Sequence, residues 1–255
     1  MIPWFEYQSI NVGFLKLNIW GIFVSLGFVV GMAVVYFELK KKKLEENRVY
    51  DLAFWIILFA LVGGRLLYVA EHLKIYFAAP LDILKLWQGG MSVYGGFIGA
   101  ILATIIYLKK NKLDFWQYAD ALTFGLPIGL FVGRLGCFFI HDHPGIKTGF
   151  FLGVNYPDGV RHDLGLYDSL LGLAIFLFFL FLYRRSRFSG FYVAIFSICY
   201  GIARFFLDFL RVRDLVGADP RYFGLTLAQY LSVALFVTGI ILFYKLKIRS
   251  EKLKS

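Results

Sequence analysis

The sequence predicts an all-α membrane protein with seven transmembrane helices, an external N-terminus, an internal C-terminus and a small external head between the fourth and fifth helices. Three observations lead to this fold class. Of the 255 residues, 59% are hydrophobic and only 17% are charged, which is too apolar a balance for a water-soluble domain. Seven apolar runs are long enough to cross roughly 30 Å of hydrocarbon. The basic residues cluster between alternate runs.

The seven runs are interpreted as helices because a chain inside lipid must pair its backbone polar groups within one segment or in a closed barrel. Barrel strands would be shorter and would alternate polar with apolar residues, unlike these runs. The predicted spans are 17–39, 52–70, 91–108, 115–140, 166–183, 191–209 and 225–244.

The orientation follows from the distribution of positive charge. Four segments hold more than half of the 27 Lys and Arg residues, and they are alternate connections plus the C-terminus. Basic connections stay in the cytoplasm, so the N-terminus is predicted to face outward. These segments are 40–48, 109–112, 184–187 and 245–254.

The predicted head is the connection over 141–165, which is long and rich in His, Asp, Pro and Gly. Long connections in compact folds are usually functional. We find no tandem repeat, so 1–255 is predicted to be one polytopic membrane domain that carries this head.

Two other classes of protein are excluded by composition. The net charge of +10 lies in clusters between spans and not on one folded face, so nucleic acid is not a predicted partner. The second excluded class is the disulfide-stabilised scaffold. Only two cysteines occur, Cys137 and Cys199, at different predicted depths, so both are expected to be free thiols.

Three arginines lie near the outer ends of predicted spans: Arg65, Arg134 and Arg204. Ionisable residues inside a membrane are costly and often functional. Asp208 and Arg211 follow Arg204 at spacings that would place all three on one helical face. Each arginine could simply pair with an acid, for example Arg204 with Asp208. Three at one depth favour a site for an anion such as a phospholipid phosphate, whose oxygens match the guanidinium fork.

Five motifs occur in order over roughly 17–245. Gly133-Arg134-Leu135-Gly136-Cys137-Phe138, followed by Asp142 and Gly145, resembles the signature Gly-Arg-x-Gly-Asn-Phe-x-Asn-x-Glu-x-x-Gly of the prolipoprotein diacylglyceryl transferase family. The other four motifs also resemble elements of that family: Gly63-Gly64-Arg65; Gly89-Gly90 through Tyr94-Gly95-Gly96; His162 with Leu166-Tyr167-Asp168; and Tyr200-Gly201 with Arg204, Asp208 and Arg211.

The chain also departs from the family pattern. Cys137 and Ile140 stand in place of two asparagines, and Asp142 in place of the glutamate. Trp20 replaces a tyrosine, and Asp163 and Gly165 replace Pro and Gln. The polar residues around the expected site are therefore altered.

The resemblance implies an enzyme of the bacterial cytoplasmic membrane, with its active site toward the outer side and no cofactor. It would transfer a diacylglyceryl group from phosphatidylglycerol to the lipobox cysteine of prelipoproteins. The implied partners are phosphatidylglycerol, prelipoprotein signal peptides and the bilayer. The alternatives are a transferase with another acceptor and a non-catalytic phospholipid-binding or transport paralogue.

Site residues follow from the matched motifs and from their chemistry. Arg134 and Arg204 are expected to stabilise the leaving phosphate. Tyr94 is expected to position the reactants, and histidines have pKa values suited to a general base. The predicted catalytic residues are Tyr94, Arg134, Asp142, His141, His143 and Arg204. The predicted substrate-binding residues are Arg65, Gly95, Gly96, Cys137, Gly145, His162, Tyr167, Asp208 and Arg211.

Two further roles were weighed for the same segment. His141-Asp142-His143 could contribute to a metal site with His162 or Asp158, but hydrogen bonding within the head is the preferred interpretation and no metal is predicted. Cys137 is expected to pack in apolar surroundings, which raise the pKa of a thiol, and not to act as a nucleophile.

The predicted orientation can be tested by cysteine labelling. A Lys42→Cys variant should react with a membrane-impermeant maleimide only after the membrane is permeabilised, because the basic connection is cytoplasmic. A cysteine introduced at Asp158 should react in intact cells. Labelling of residue 42 in intact cells would overturn the orientation.

Overall fold

The computed structural model describes residues 1–13, 15–85, 89–183, 187–215 and 217–253. Most of the chain is helical. Its helices are α1 (Ile19–Lys41), α2 (Arg48–Glu71), α3 (Leu73–Ala78), α4 (Val93–Lys110), α5 (Phe115–Ile140), α6 (Leu164–Leu182), α7 (Phe191–Leu207) and α8 (Leu227–Lys252), with 3₁₀ turns at Pro80–Leu84 and Asp208–Leu210.

Within the described ranges, seven helices are long and apolar enough to cross a membrane: α1, α2, α4, α5, α6, α7 extended to Leu210, and α8. The prediction of a seven-span membrane protein is confirmed. The bounds of α5 match those predicted, and α8 runs to Lys252 instead of ending at 244. The orientation stays a prediction. In the basic clusters, Arg184, Arg185 and Lys254 lie outside the described residues.

Short strands accompany the helices, which the all-α prediction did not include. β1 (Ser9–Val12) and β2 (Leu15–Asn18) form an antiparallel hairpin before α1. The predicted head contains β3 (Pro144–Lys147), β4 (Val154–Tyr156) and β5 (Gly159–Asp163), antiparallel in the order β3-β5-β4. β6 (Arg221–Tyr222) pairs with β7 (Leu225–Thr226) before α8. The head is thus a folded sheet, and its external location stays a prediction.

The chain divides into two compact units, one of Met1–Glu38 with Ala119–Ser255 and the other of Leu39–Tyr118. In the first unit, aromatic side chains of α5, α6 and α7 form a buried core around Phe124, Phe179 and Tyr192. A single domain over 1–255 stays a prediction.

One buried arginine holds the head sheet to its surroundings in the first unit. The Arg161 side chain is 1% exposed, and its guanidinium donates to Asp158, Asp214 and the Gly145 carbonyl. This pairing lowers the pKa of Asp214 to about 2. Ile2 also forms a bridge with Val154, so the N-terminal segment is part of the same structure.

The second unit is built on close packing of α2 against α4. A Cβ at Gly99 would lie 2.0 Å from the Phe59 carbonyl oxygen, and one at Gly95 would lie 2.3 Å from the Gly63 oxygen. The backbones therefore touch where small residues recur, which is how membrane helices associate without a hydrophobic driving force. Gly95, which the sequence predicts to bind substrate, packs against Gly63 at this crossing, and its binding role stays a prediction.

We expect Gly99→Ala to destabilise the protein by about 1–3 kcal/mol, because the methyl group overlaps backbone that cannot move aside. Gly21→Ala is the matched control, since a Cβ there meets nothing within 4 Å. This control should be neutral or slightly stabilising. Thermal unfolding in detergent measures both, and equal melting temperatures would contradict the packing argument.

Candidate active site

Arg204 lies at the centre of a buried network of charges. Its Nη1 donates to both carboxylate oxygens of Asp168 at 3.0 and 3.1 Å, and its Nη2 donates to Asp208 at 3.2 Å. The whole residue is 9% exposed, while Asp168 and Asp208 are 3% and 0% exposed. The pairing with Asp208 was the alternative considered from sequence. Nη1 and Nη2 of Arg204 are both bound to these carboxylates, so Arg204 has little surface left for a ligand.

Arg134 on α5 shares Asp168 but is more accessible. Its Nε is 3.7 Å from Asp168 Oδ2, and its side chain is 27% exposed, against 11% for Arg204. Its Nη1 lies 3.7 Å from Cys137 Sγ and 3.4 Å from His143 Nε2. The structure therefore brings Arg134 and Arg204 together at one carboxylate, and Arg134 is the more exposed of the two.

Arg211 does not continue the helical face predicted for it. α7 ends at Leu207, a 3₁₀ turn follows, and Arg211 is extended, with φ −66° and ψ 143°. Its Nε is still 3.6 Å from Asp208, and its Nη1 pairs with Asp219. Arg211 also forms a backbone bridge with Gly145. A Cβ at Gly145 would lie 2.6 Å from the Leu210 oxygen, so glycine permits this close approach.

Cys137, Asp142 and His143 form a polar cluster beside Arg134, in the first unit. The potential ligand atoms of these three residues lie within 4.8 Å of one another. The apolar surroundings predicted for Cys137 are therefore wrong, because the loop after α5 folds back over the helix end. This cluster differs from the metal site considered from sequence, in which His162 or Asp158 would be the third ligand. A guanidinium against the cluster disfavours a cation and favours an anion.

His143 is bound by its sequence neighbour. Its Nδ1 bonds to an Asp142 carboxylate oxygen, and its side chain is 24% exposed. Burial by itself would lower the pKa of His143, but hydrogen bonds with Asp142 and Cys137 outweigh it and raise this pKa to about 9. This raised pKa favours the protonated ring at neutral pH.

His141 occupies a different environment from His143. Its Nδ1 is 2.6 Å from Asp163, and its side chain is fully buried. Trp4 stacks on the ring at 4.6 Å, and Phe5 packs at the same distance. These contacts favour a structural role for His141 and not the catalytic role predicted for it. Asp163, which replaces a family proline, also caps α6 through Leu166 N at 2.9 Å.

His162 and Tyr167, which the sequence groups with the substrate-binding residues, contact each other directly. His162 Nδ1 is 2.7 Å from the Tyr167 hydroxyl, and burial lowers the pKa of His162. Both line a cavity of about 350 Å³ whose other walls are apolar: Phe150, Leu152, Leu207 and Leu210. The cavity suits an apolar part of a substrate.

The second unit carries the remaining predicted site residues, Arg65, Tyr94, Gly95 and Gly96. Arg65 is 4% exposed, and its guanidinium donates to main-chain carbonyls in the connection before α4, namely those of Asp82, Ile83, Lys85, Gly89 and Gly90. Its N–H groups are thereby occupied, which favours a structural role. Tyr94, in the first turn of α4, is 38% exposed.

Asp168 is the site residue that the sequence analysis missed. It was quoted within a motif but given no role, although it lies in the fifth predicted span. The argument that intramembrane charge marks function applies to acids as much as to arginines. Applied to Asp168, it would have identified the partner of Arg134 and Arg204.

Comparison with known proteins identifies one family. The family model for prolipoprotein diacylglyceryl transferase matches residues 8–245. The chain is similar to the phosphatidylglycerol–prolipoprotein diacylglyceryl transferase of Solidesulfovibrio magneticus, with 32% identity over 93% of this chain and 93% of that protein. It is also 32% identical to the Pseudomonas putida protein of that name, over 95% and 94% of the two chains. A Listeria welshimeri protein of the same name is 30% identical, over 94% and 90%.

The buried network predicts an effect on stability. Arg204→Met should cost about 3–5 kcal/mol, because it removes the closest guanidinium from Asp168 and Asp208 and leaves them the longer contacts with Arg134 and Arg211. Adding Asp168→Asn should recover part of that loss, because it removes one of the two carboxylates that have lost their closest partner. Thermal unfolding of the single and double variants measures this coupling, and additive losses would show that the pair is not coupled.

Proposed function

The chain belongs to the prolipoprotein diacylglyceryl transferase family, and from that premise we propose that it transfers a diacylglyceryl group from phosphatidylglycerol to the lipobox cysteine thiol of prelipoproteins. The observation that supports this proposal at the level of residues is that Arg134 and Arg204 both contact the carboxylate of Asp168. This arrangement provides one accessible guanidinium and a buried frame that fixes its position.

The proposed reaction is a displacement at carbon. The acceptor thiol releases its proton to solvent, and the thiolate attacks the glycerol carbon that bears the phosphate ester. A C–S bond forms, the C–O bond to phosphate breaks, and glycerol phosphate leaves with the electron pair. Negative charge grows on the phosphate during this step. Groups that bind the growing charge more strongly than the starting ester lower the barrier.

Arg134 is the proposed contact to the phosphate. It is the more exposed of the two arginines, and it has N–H donors that no carboxylate fully occupies. Its position is set by Asp168, which is held in turn by two hydrogen bonds from Arg204. We therefore propose that Arg204 is a positioning residue, in place of the direct catalytic role expected from sequence.

The other predicted residues take supporting roles in this proposal. Asp208 accepts from Arg204 and from Thr226, so it connects α7 to the start of α8. The cavity beside His162 and Tyr167 receives an apolar part of a substrate. Tyr94 remains a proposed positioning group, because its side chain is exposed at the start of α4.

We place the protein in the bacterial cytoplasmic membrane as a multi-pass protein, with the head over 141–165 and the active site toward the outer side. The seven apolar helices support membrane insertion. The basic connections support the orientation. The phospholipid and the exported prelipoprotein would then meet on that side.

Arg134→Lys tests the phosphate contact. Lysine keeps the charge but loses the planar fork, so transfer should fall about a hundredfold or more with little change in melting temperature. The assay measures diacylglyceryl transfer from phosphatidylglycerol to a lipobox peptide. Arg213→Lys is the matched control, because Arg213 is exposed.

Transfer at the wild-type rate by Arg134→Lys and Arg134→Ala would remove Arg134 from the mechanism. A wild-type protein that binds phosphatidylglycerol but gives no thioether product with any lipobox peptide would instead be the non-catalytic paralogue. Mass spectrometry of the acceptor peptide separates these outcomes.

A further inference from the structure

The loop that follows α5 folds back over the last turns of that helix. His141 has a positive φ of 49°, which turns the chain, and the His143 carbonyl accepts from Leu164 N at 3.0 Å. His143 is thereby fixed within 3.4 Å of Arg134, nine residues earlier in the sequence. The contact depends on the fold of the head and not on helical spacing.

Once the ring of His143 is protonated, this contact has more hydrogen-bond donors than acceptors. His143 Nδ1 is used by Asp142. The Nε2–H group and the Arg134 N–H group are then two donors 3.4 Å apart. The acceptor recorded beside them is Cys137 Sγ, 3.7 Å from Arg134, and sulfur is a weak acceptor. Two charged donors that converge without a strong acceptor form a site for an oxyanion.

We infer that His143, held by Asp142, binds the phosphate of the lipid substrate together with Arg134 through its Nε2–H group. The inference rests on the proposed transferase function and deepens it. The ligand chemistry is a phosphate ester with negative oxygens, in the intact lipid or in the released glycerol phosphate. The Asn position of the family signature is Cys137 here, and His143 supplies a strong donor that a thiol does not.

Protonation sets the pH range of this role. Since the pKa of His143 is raised to about 9, the imidazolium dominates below pH 9 and is lost as the pH rises through that value. A ring that already carries its proton cannot take one from the acceptor thiol, which separates this role from general-base catalysis. The charged or titratable groups recorded against the His143 side chain are Asp142, Arg134 and Cys137, and Arg134 in turn contacts Asp168.

The test is equilibrium binding of phosphatidylglycerol to the full-length protein in phosphatidylcholine nanodiscs, between pH 6 and 10. His143→Gln should weaken binding about tenfold or more at pH 7, as expected for a lost charged hydrogen bond. In the wild type, the affinity should fall to the Gln level as the pH passes 9. His143→Lys should retain wild-type affinity at pH 7 and lose it only near the higher pKa of lysine.

His72→Gln is the matched control, because His72 lies in the second unit and is bound to the Tyr68 carbonyl. A parallel titration with soluble glycerol phosphate distinguishes the two sources of phosphate. If glycerol phosphate displaces phosphatidylglycerol in a manner that depends on His143, the site also holds the product. If it does not displace the lipid, the site requires the intact lipid.

Unchanged affinity in His143→Gln would overturn the inference. Two kinetic results together would also overturn the inference, in favour of a general base. The transfer rate of the wild type would rise with pH up to 9, and both His143 variants would lose kcat with no change in KM. Failure of the proposed function gives a different result. The wild type would then transfer no lipid, while its affinity for phosphatidylglycerol would still depend on His143 and on pH.

Discussion

The buried carboxylate of Asp168 is the group that allows two arginines to sit in the apolar part of this protein. An isolated guanidinium there would lack both water and a counter-ion, at a large cost in free energy. Asp168 contacts Arg204 at 3.0 Å and Arg134 at 3.7 Å, so one charge is shared by α5, α6 and α7. Asp208 completes the neutralisation of Arg204 from the other side. Because the charges compensate one another, the helices that carry them must keep one arrangement, and the site inherits that rigidity.

The two arginines are chemically alike but differ in exposure. Arg204 gives its donors to carboxylates, and Arg134 is the more exposed. Under the proposed function, loss of Arg204 should act first on stability and only then on transfer. Loss of Arg134 should act on transfer with a smaller structural cost. Activity measured without stability would not separate the two roles.

The number and nature of the spans could be predicted because lipid imposes a length and a composition on every helix that crosses it. The strands of the head could not, since β3 to β5 are only three to five residues long, too short for a pattern of polar and apolar residues to identify them. The arginine pair was predictable from charge within spans. The surroundings of Cys137 were not, because its neighbour His143 arrives through a loop whose path depends on tertiary contacts.

The same reasoning bears on the altered signature. If the signature is regarded as a set of hydrogen-bond donors and acceptors, replacing its asparagine by Cys137 removes a strong donor. The structure has His143 near that position, and Asp142, which stands where the family has glutamate, holds it. If His143 donates as we infer, this exchange retains the count of strong donors around Arg134 while making one of them dependent on pH. A signature can therefore lose a residue without its site losing the donor, when a neighbouring loop supplies the missing group.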